Sequence, residues 1–390
     1  MPALGDSKSY VASLDGVRGV AISLVLVVHL LWASANTGSR VLDFISNLRG
    51  ACWIGVDLFF ALSGFLITGI LVDTLESECF FRNFYARRIL RIFPLYYGLI
   101  LMLFLFLRPH GYAETRPFYL LLFYLQNTPL WWNFSSSQLM GDLVGHLWSL
   151  SVEEQFYLVW PLLVFSIRDR RRLLWATVCL AALAPISRFL LISHGASFTN
   201  TYELTICRAD SLLGGAWLAL AVRGRLRAYV FRFAPWFFAL SMACCVAIGW
   251  RSGFDWATSW DINTYGYSVI AIGSISLIAM SLRPESFTAS AMRVGFLRFL
   301  GKYSYGIYVY HQVIRVPLER YFRAFLESQI HSKVLLHLTD LIICLLIIIP
   351  IAVLSYHLYE APFLKLKKYF SYSARRPVEF PLASTAELSQ

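Results

Sequence analysis

The stretch LDGVRGVAISLVLVVHLLW, from Leu14 to Trp32, decides the class of fold. A helix needs about 20 apolar residues to cross a bilayer, and this stretch has that length. Arg18 and His29 interrupt it, about 16 Å apart along a helix axis. Because ionisable groups in a span are costly in lipid, both are expected to face a protein interior or wet cavity and to be functional. The alternatives are that Arg18 reaches lipid headgroups and that His29 packs as an ordinary core histidine.

The composition of the whole chain agrees with a membrane protein. Of 390 residues, 58% are hydrophobic and 15% charged, and the apolar residues form repeated blocks long enough to cross a bilayer. The sequence therefore predicts an all-α fold, a polytopic membrane helix bundle with about ten transmembrane helices. The predicted spans are 15–35, 51–75, 94–108, 147–167, 173–192, 206–222, 230–249, 264–281, 303–319 and 334–357.

The net charge of +11 comes from basic residues concentrated in the short loops on one side of these spans. This positive-inside pattern places both termini in the cytoplasm, with the lipid bilayer and not a nucleic acid as the partner. We expect the cell inner (plasma) membrane as the location. The seven cysteines show no metal-ligand spacing, so neither a metal site nor a bound cofactor is expected.

The chain reads as one unit without a cleavable signal peptide. We predict an integral membrane domain over residues 1–370 and a short, disordered cytoplasmic tail over 371–390. The apolar segment 117–130 is interpreted as a short re-entrant or half-buried helix in an external loop, because a full crossing would place the basic loop 168–172 outside. The aromatic run 128–137 suits a sugar platform or, equally, an interfacial aromatic belt.

The stretch FFRNFYARRILRIFP, residues 80–94, alternates arginines with aromatic and aliphatic residues. It predicts a helix along the inner membrane surface that ends at Pro94. Arg88 and Arg91 are three residues apart and share a helix face. Guanidinium groups match phosphate geometry, so this face is expected to hold an anionic cytosolic ligand, or else lipid headgroups.

Two other spans carry charges that are expected to be paired. Asp57 lies with Ser63 in the second span, and its favoured role is that of a structural counter-ion for an intramembrane arginine. Arg208 and Asp210, near the outer end of the sixth span, are expected to pair with each other or with Glu203.

The fourth span begins with a polar cluster that contains Ser151, Glu153, Glu154 and Gln155. The direction of the spans places Glu153 at about the depth of His29. A histidine with a carboxylate that orients it suits general base catalysis, and the same pair would suit a proton relay. Glu154 points about 100° away on the helix, so at most one of the two carboxylates faces a given cavity.

The ninth span, GKYSYGIYVYHQVI, carries a stripe of tyrosines. Anchoring at the membrane interface explains the tyrosines near its start. Tyr310 and His311 lie too deep for that role and are expected to line a cavity or to make structural polar contacts.

Taken together, these motifs resemble the acyltransferase 3 family of integral membrane acyltransferases, over nearly the whole chain. The motifs, in chain order, are LDGVRG with Arg18 and His29 in R-x10-H, GVDLFFALSGFLI, the RxxR of Arg88 and Arg91 followed by IFPLYY, WSLSVEEQFYLVWP, RADSLLGGAWLA, LGKYSYGIYVYH and YEAPF.

The resemblance implies ten spans and transfer of an acyl group, usually acetyl, from cytosolic acyl-CoA. The acceptor is an extracytoplasmic hydroxyl of a polysaccharide, lipopolysaccharide, peptidoglycan or glycolipid, or of a macrolide in some smaller members. It implies His29 as the catalytic residue, with Arg18, Arg88 and Arg91 as essential arginines that bind acyl-CoA. Glu153 matches the family glutamate. The SGNH hydrolase-like domain fused to some members is not expected here, so the bundle and its loops would handle the acceptor.

A different class of function uses the same polar residues. A proton-coupled transporter or flippase of a glycan or lipid-linked sugar would also place ionisable groups in its spans. It would be expected to show inverted repeats and paired broken helices, which the sequence does not display. The acyltransferase hypothesis also gives the arginine pair a function, so we favour it.

Overall fold

The computed structural model describes residues 11–31, 49–107, 115–132, 138–252 and 259–372. Within these ranges the chain is helical and contains no strand, which confirms the predicted all-α class. Trp32, the distal part of the aromatic run 128–137 and most of the predicted tail 371–390 lie outside the described residues.

Ten long helices form the framework. They are α1 Ala12–Leu30, α2 Ile54–Asp73, α3 Phe80–Leu107, α4 Trp148–Ile167, α5 Arg170–Ser193, α6 Thr205–Val222, α7 Arg227–Arg251, α8 Tyr267–Ser281, α9 Gly295–Gln329 and α10 Lys333–Ser355. Short helices at Thr115–Leu122, Pro129–Trp132, Gln138–Val144, Phe198–Glu203, Phe287–Met292 and Ala361–Lys365 connect them. π-Helical turns precede α8 at Ile262–Gly266 and follow α10 at Tyr356–Glu360.

Nine helices in the described part of the chain are long and apolar enough to cross a membrane, which confirms a polytopic bundle. The ninth predicted span, 303–319, lies inside α9, which is not among these nine helices. This helix has 35 residues and is about 52 Å long, more than a hydrocarbon core of about 30 Å requires. Its C-terminal half carries Arg315, Glu319 and Arg323 in a ladder of ion pairs, so the helix is long enough to cross but less apolar than the other nine.

Helix α1 packs against the N-terminal half of α9 through glycines. A Cβ atom added at Gly19 would lie 2.0 Å from the carbonyl oxygen of Leu297, and one at Gly301 would lie 1.8 Å from that of Asp15. Both distances are far inside van der Waals contact, so only glycine permits this approach of the two backbones. The contact fixes α1, which carries Arg18 and His29, against α9.

Helix α3 differs from the prediction for residues 80–94. The basic stretch does not end at Pro94 but continues through it as the first half of a single helix. Proline removes a backbone hydrogen bond, and membrane helices tolerate it where neighbours satisfy the freed groups. The Tyr305 hydroxyl donates to the carbonyl of Ile92 at 2.7 Å, and Tyr359 donates to that of Pro94 at 3.0 Å. These two bonds tie Ile92 and Pro94 of the helix to α9 and to the π-helical turn after α10.

The segment 117–130 does not form a crossing helix. Its helix, Thr115–Leu122, has eight residues and is about 12 Å long, well short of a bilayer core of about 30 Å. The chain then turns at Tyr124, which has a positive φ of 54°. The interpretation of this segment as a short helix is confirmed.

The end of the described chain returns to the basic part of α3. After Ala361–Lys365 the 3₁₀ turn Leu366–Phe370 lies against this helix. Arg87 donates to the carbonyls of Lys367 and Phe370 at 3.2 Å each. The arginine-rich part of α3 is therefore covered on one side by the C-terminal segment.

Candidate active site

A cationic cavity of about 560 Å³ lies among α1, α3 and α9, on the predicted cytoplasmic side. It is lined by Asp15, Arg18, Arg91, Gly295, Arg298, Phe299, Gly301, Lys302 and Tyr356. Four of these side chains are cations and one is a carboxylate, which forms an ion pair with Arg18. Three helices thus contribute positive charge to one concave surface, a suitable arrangement for a polyanion.

The structure brings together the three arginines predicted to hold the donor. Arg18 and Arg91 both line the cavity. Arg88 does not line it, but its charge and that of Arg91 both act on Arg18. The Arg91 guanidinium lies 5.9 Å from the centre of the Tyr305 ring, a cation–π contact that helps to orient it.

Glu153 lies on the same side as these arginines. Its carboxyl interacts with the hydroxyls of Ser63 and Tyr157, which are hydrogen-bonded to each other. Arg88 and Arg18 are the nearby charges that act on it. Glu153 therefore belongs to the surroundings of the arginines.

The predicted orientation of His29 by Glu153 is absent from the contacts of the described residues. The Nδ1 of His29 lies 2.8 Å from the carbonyl oxygen of Val25, one turn earlier in α1. A carbonyl only accepts, so Nδ1 carries the hydrogen and a neutral ring keeps its lone pair on Nε2. The backbone has the orienting role that we assigned to Glu153. Equal predicted depth did not imply contact: α2 packs against both α1 and α4.

His29 is one of three histidines whose rings are in contact. Its ring centre lies 4.9 Å from that of His311 on α9, and His311 lies 4.6 Å from His146, which precedes α4. His311 is fully buried, and its Nδ1 lies 2.6 Å from the carbonyl oxygen of Tyr308. The expectation that His311 lies at a deep polar site is consistent with this cluster, whereas His146 was not selected from the sequence.

The buried charges of α2 and α6 form ion pairs that hold helices together. Arg208 binds Asp57 at 2.5 Å, and Ser211 donates to the same carboxylate at 2.6 Å. This agrees with the structural role expected for Asp57. The expected pairing of Arg208 with Asp210 or Glu203 is wrong.

Asp210 has a different partner, because Arg188 of α5 reaches it at 2.9 Å. Glu203 accepts a hydrogen bond of 2.9 Å from the Trp132 indole. The helix that follows Glu203 therefore pairs each of its own charges with another element. Pairing across elements satisfies buried charges and fixes how the helices pack.

Of the remaining predicted polar residues, Gln155 and Tyr310 join different segments of the chain, and Ser151 is buried without a hydrogen bond in the described residues. Gln155 donates to the Tyr124 carbonyl and to the Asn127 side chain, both at 2.9 Å, and so fastens the segment 117–130 to α4. Tyr310 hydrogen-bonds Ser355 at 2.9 Å, joining α9 to α10. Ser151 is fully buried, and its hydroxyl has no hydrogen-bond partner in the described part of the chain. None of these residues lines the cationic cavity.

Arg298 and Lys302 were missed from the sequence. They are four residues apart at the start of α9 and therefore share a helix face. We counted them only as positive-inside residues of a loop, because the ninth span was predicted to begin at 303. The same spacing argument that selected Arg88 and Arg91 would have found them.

Comparison with known proteins finds acyltransferases both among family models and among individual relatives. A family model described as an acyltransferase domain matches residues 11–357. The chain is 30% identical to the peptidoglycan O-acetyltransferase OatA of Listeria monocytogenes, over 79% of this chain and 50% of that protein. It is 28% identical to YrhL of Bacillus subtilis, over 94% of this chain and 56% of that protein.

A third relative is the O-acetyltransferase OatA of Staphylococcus aureus, 26% identical over 96% of this chain and 60% of that protein. The chain thus spans between 50% and 60% of the length of these three relatives. No solved structure matches it.

Proposed function

The chain belongs to the acyltransferase 3 family, and on that premise we propose that it is a membrane O-acyltransferase. The donor is cytosolic acyl-CoA and the acyl group is acetyl. The acceptor is a hydroxyl of an extracytoplasmic glycan, and the relatives named as peptidoglycan O-acetyltransferases favour peptidoglycan. The protein lies in the plasma membrane with both termini in the cytoplasm, in keeping with the positive-inside pattern.

The observation that carries this proposal is the cationic cavity and its position on the same helix as His29. Acyl-CoA is a polyanion whose phosphates lie at one end and whose thioester lies at the other. Arg18, Arg91, Arg298 and Lys302 supply positive groups for the phosphate end. An exposed patch for lipid headgroups would not need three helices to enclose a cavity of about 560 Å³.

The separation between cavity and histidine suits the donor. His29 lies about 16 Å from Arg18 along α1, a distance of the order of the pantetheine arm. Phosphates held at the cavity would therefore place the thioester close to the His29 ring. The mostly apolar residues between Arg18 and His29 offer no competing charge.

The chemistry assigned to His29 follows from its tautomer. With Nδ1 donating to Val25, Nε2 is free to take a proton. We propose that Nε2 accepts the proton of the acceptor hydroxyl as its oxygen attacks the thioester carbon. A C–O bond forms, the C–S bond breaks, and His29 returns the proton to the thiolate, which leaves as CoA thiol. Attack by Nε2 itself, with a transient acyl-histidine, uses the same lone pair.

The proposal is tested with the purified full chain in lipid nanodiscs. Acetyl-CoA is expected to raise the melting temperature, whereas soluble muropeptides alone are not. Radiolabelled acetyl-CoA with muropeptides should give labelled ester, and free CoA thiol should appear in equal amount. Stabilisation by the glycan alone, without thiol release, would contradict the proposal and support a glycan transporter.

A further inference from the structure

The last described segment of the chain is fastened to the arginine-rich part of α3 through its backbone. Arg87 donates to the carbonyls of Lys367 and Phe370 at 3.2 Å each. Asn83, one turn earlier in α3, donates to the carbonyl of Ser371 at 3.0 Å. The turn that carries Lys367 therefore has a fixed place on this helix.

This attachment adds a fourth cation to a cluster of positive charge on α3. The Lys367 side chain is half-buried. The charges that act on its ammonium group belong to three guanidinium groups of α3, those of Arg87, Arg88 and Arg91. Like charges at short range raise the energy of the protein, and an anion bound among them lowers it. The cluster is therefore suited to an anionic ligand.

No carboxylate of the described residues forms an ion pair with any of these four cations. Three carboxyl groups lie near enough for their charge to be felt by the arginines, and they are those of Glu153, Glu154 and Glu360. Within the same part of the chain, the Lys367 ammonium donates no hydrogen bond to a protein acceptor. Its donor hydrogens remain available for a ligand.

The position of Lys367 matches the order of the groups along the proposed donor. Arg91 lines the cationic cavity, whereas Arg88 and Lys367 lie outside it. Arg88 precedes Arg91 by about 4.5 Å along α3, on the predicted cytoplasmic side and so away from His29. In acyl-CoA the diphosphate follows the pantetheine arm, and the 3′-phosphate of the ribose lies beyond it. With the diphosphate in the cavity, the 3′-phosphate comes to the side of Arg88 and Lys367.

We propose that Lys367, together with Arg88, binds the 3′-phosphate of acyl-CoA. The inference rests on the proposed function and identifies the group of the donor that this part of the protein selects. A phosphate monoester carries about −1.5 to −2 charge at pH 7 and has three terminal oxygens, so it accepts from an ammonium and a guanidinium at once. Arg87 holds the backbone of the segment, which leaves the Lys367 side chain for the ligand. The site distinguishes acyl-CoA from thioester donors that lack this phosphate.

Two donors that differ only in this phosphate test the assignment. Acetyl-CoA and acetyl-dephospho-CoA are titrated by calorimetry into the full chain in nanodiscs of phosphatidylcholine, which present no anionic headgroup. We expect the wild-type protein to bind acetyl-CoA about 10- to 100-fold more tightly, because the dephospho compound lacks the charge-assisted hydrogen bonds of the 3′-phosphate.

Substitutions at Lys367 connect that preference with one side chain. Lys367→Gln should lower the affinity for acetyl-CoA by about 10-fold and leave the affinity for acetyl-dephospho-CoA unchanged. Lys367→Arg keeps the charge and should retain most of the preference. Lys368→Gln is the matched control, because it removes the same charge from the next residue, whose exposed side chain contacts the Tyr369 ring. It should bind both donors as the wild type does.

The outcomes separate the two proposals. A wild-type protein that binds neither donor would overturn the proposed function itself. Equal binding of the two donors by the wild type, or an equal loss of both in Lys367→Gln, would overturn the role of Lys367 alone. Nanodiscs that contain phosphatidylglycerol examine the other source of phosphate. A change in melting temperature of Lys367→Gln that appears only there, with no preference between the donors, would assign the cluster to lipid headgroups.

Discussion

The cationic cavity and the histidine cluster lie on the same two helices, α1 and α9, yet they are built in opposite ways. The cavity is open and lined by four cations that accompany one carboxylate. The cluster is closed, and its rings have backbone carbonyls as their only hydrogen-bonded partners in the described chain. In the proposed function, the cavity recognises the charge of the donor, while the histidine cluster stays uncharged until His29 takes a proton.

The largest effect of a substitution on the rate is expected at the histidine cluster. His29→Ala should lower the rate of acetyl transfer by about 10²- to 10⁴-fold, because it removes the general base. Acetyl-CoA binding should be retained, because the cavity does not include His29. Thiol release and calorimetric titration with acetyl-CoA would measure the two effects. Near-normal transfer by this variant would rule out histidine catalysis and remove the functional contrast between the two regions.

The next largest effect, on donor binding, is expected at the cationic cavity. Arg91→Ala should weaken acetyl-CoA binding by about 10- to 100-fold, because a charge-assisted hydrogen bond contributes about 1.5–3 kcal/mol. Its kcat at saturating donor should change little. Arg82→Ala is the matched control, since Arg82 lies on the same helix but not at the cavity. Equal binding by both variants would show that the basic stretch of α3 only anchors the protein to lipid.

A smaller effect tests whether Glu153 acts together with Arg18 and Arg88. Glu153→Gln should lower the KM for acetyl-CoA by a few-fold, because it removes a negative charge that acts beside Arg18 and Arg88 and repels the donor phosphates. Glu154→Gln should be milder. Steady-state kinetics in acetyl-CoA provides the test. A loss confined to kcat would instead connect Glu153 with His29, as the sequence first indicated.

The smallest effect is expected from salt. The Debye length falls from about 10 Å at 0.1 M to about 3 Å at 1 M salt, so the open cavity should lose a few-fold in affinity for acetyl-CoA. The closed cluster is screened much less, so kcat at saturating donor should stay constant. Donor titrations at several salt concentrations measure both quantities. A kcat that falls together with affinity would mean that salt reaches the histidines as well.

Periodicity explains which parts could be predicted from the sequence. The apolar blocks gave the helices, because a bilayer imposes their length and composition. Spacing along one helix placed Arg88 beside Arg91, and the cost of a charge inside a span predicted the pairing of Asp57 with an arginine. Contacts between distant helices were less accessible: depth placed Glu153 level with His29, but the rotation of α4 and its packing on α2 decide what Glu153 touches.

Two further differences between the prediction and the structure concern Pro94 and His311. Proline at position 94 looked like a helix end, but α3 continues through it, and tyrosines from distant parts of the chain bond the carbonyls of Ile92 and Pro94. The contacts of His311 with the Tyr308 carbonyl and with the ring of His29 depend on how the helices pack, and no sequence pattern carries that information. The residue was selected for its depth alone.

The glycine contacts between α1 and α9 fix the position of the two helices along each other. With the backbones this close at Gly19 and Gly301, neither helix can slide past the other by a turn without a collision. The cations of α9, Arg298 and Lys302, therefore keep their position relative to His29, and the gap of about 16 Å between Arg18 and His29 is set by α1 itself. In the proposed function, a thioester on an arm much shorter than pantetheine would have to leave the cations before it reached His29, so the enzyme would select its donor by length as well as by charge.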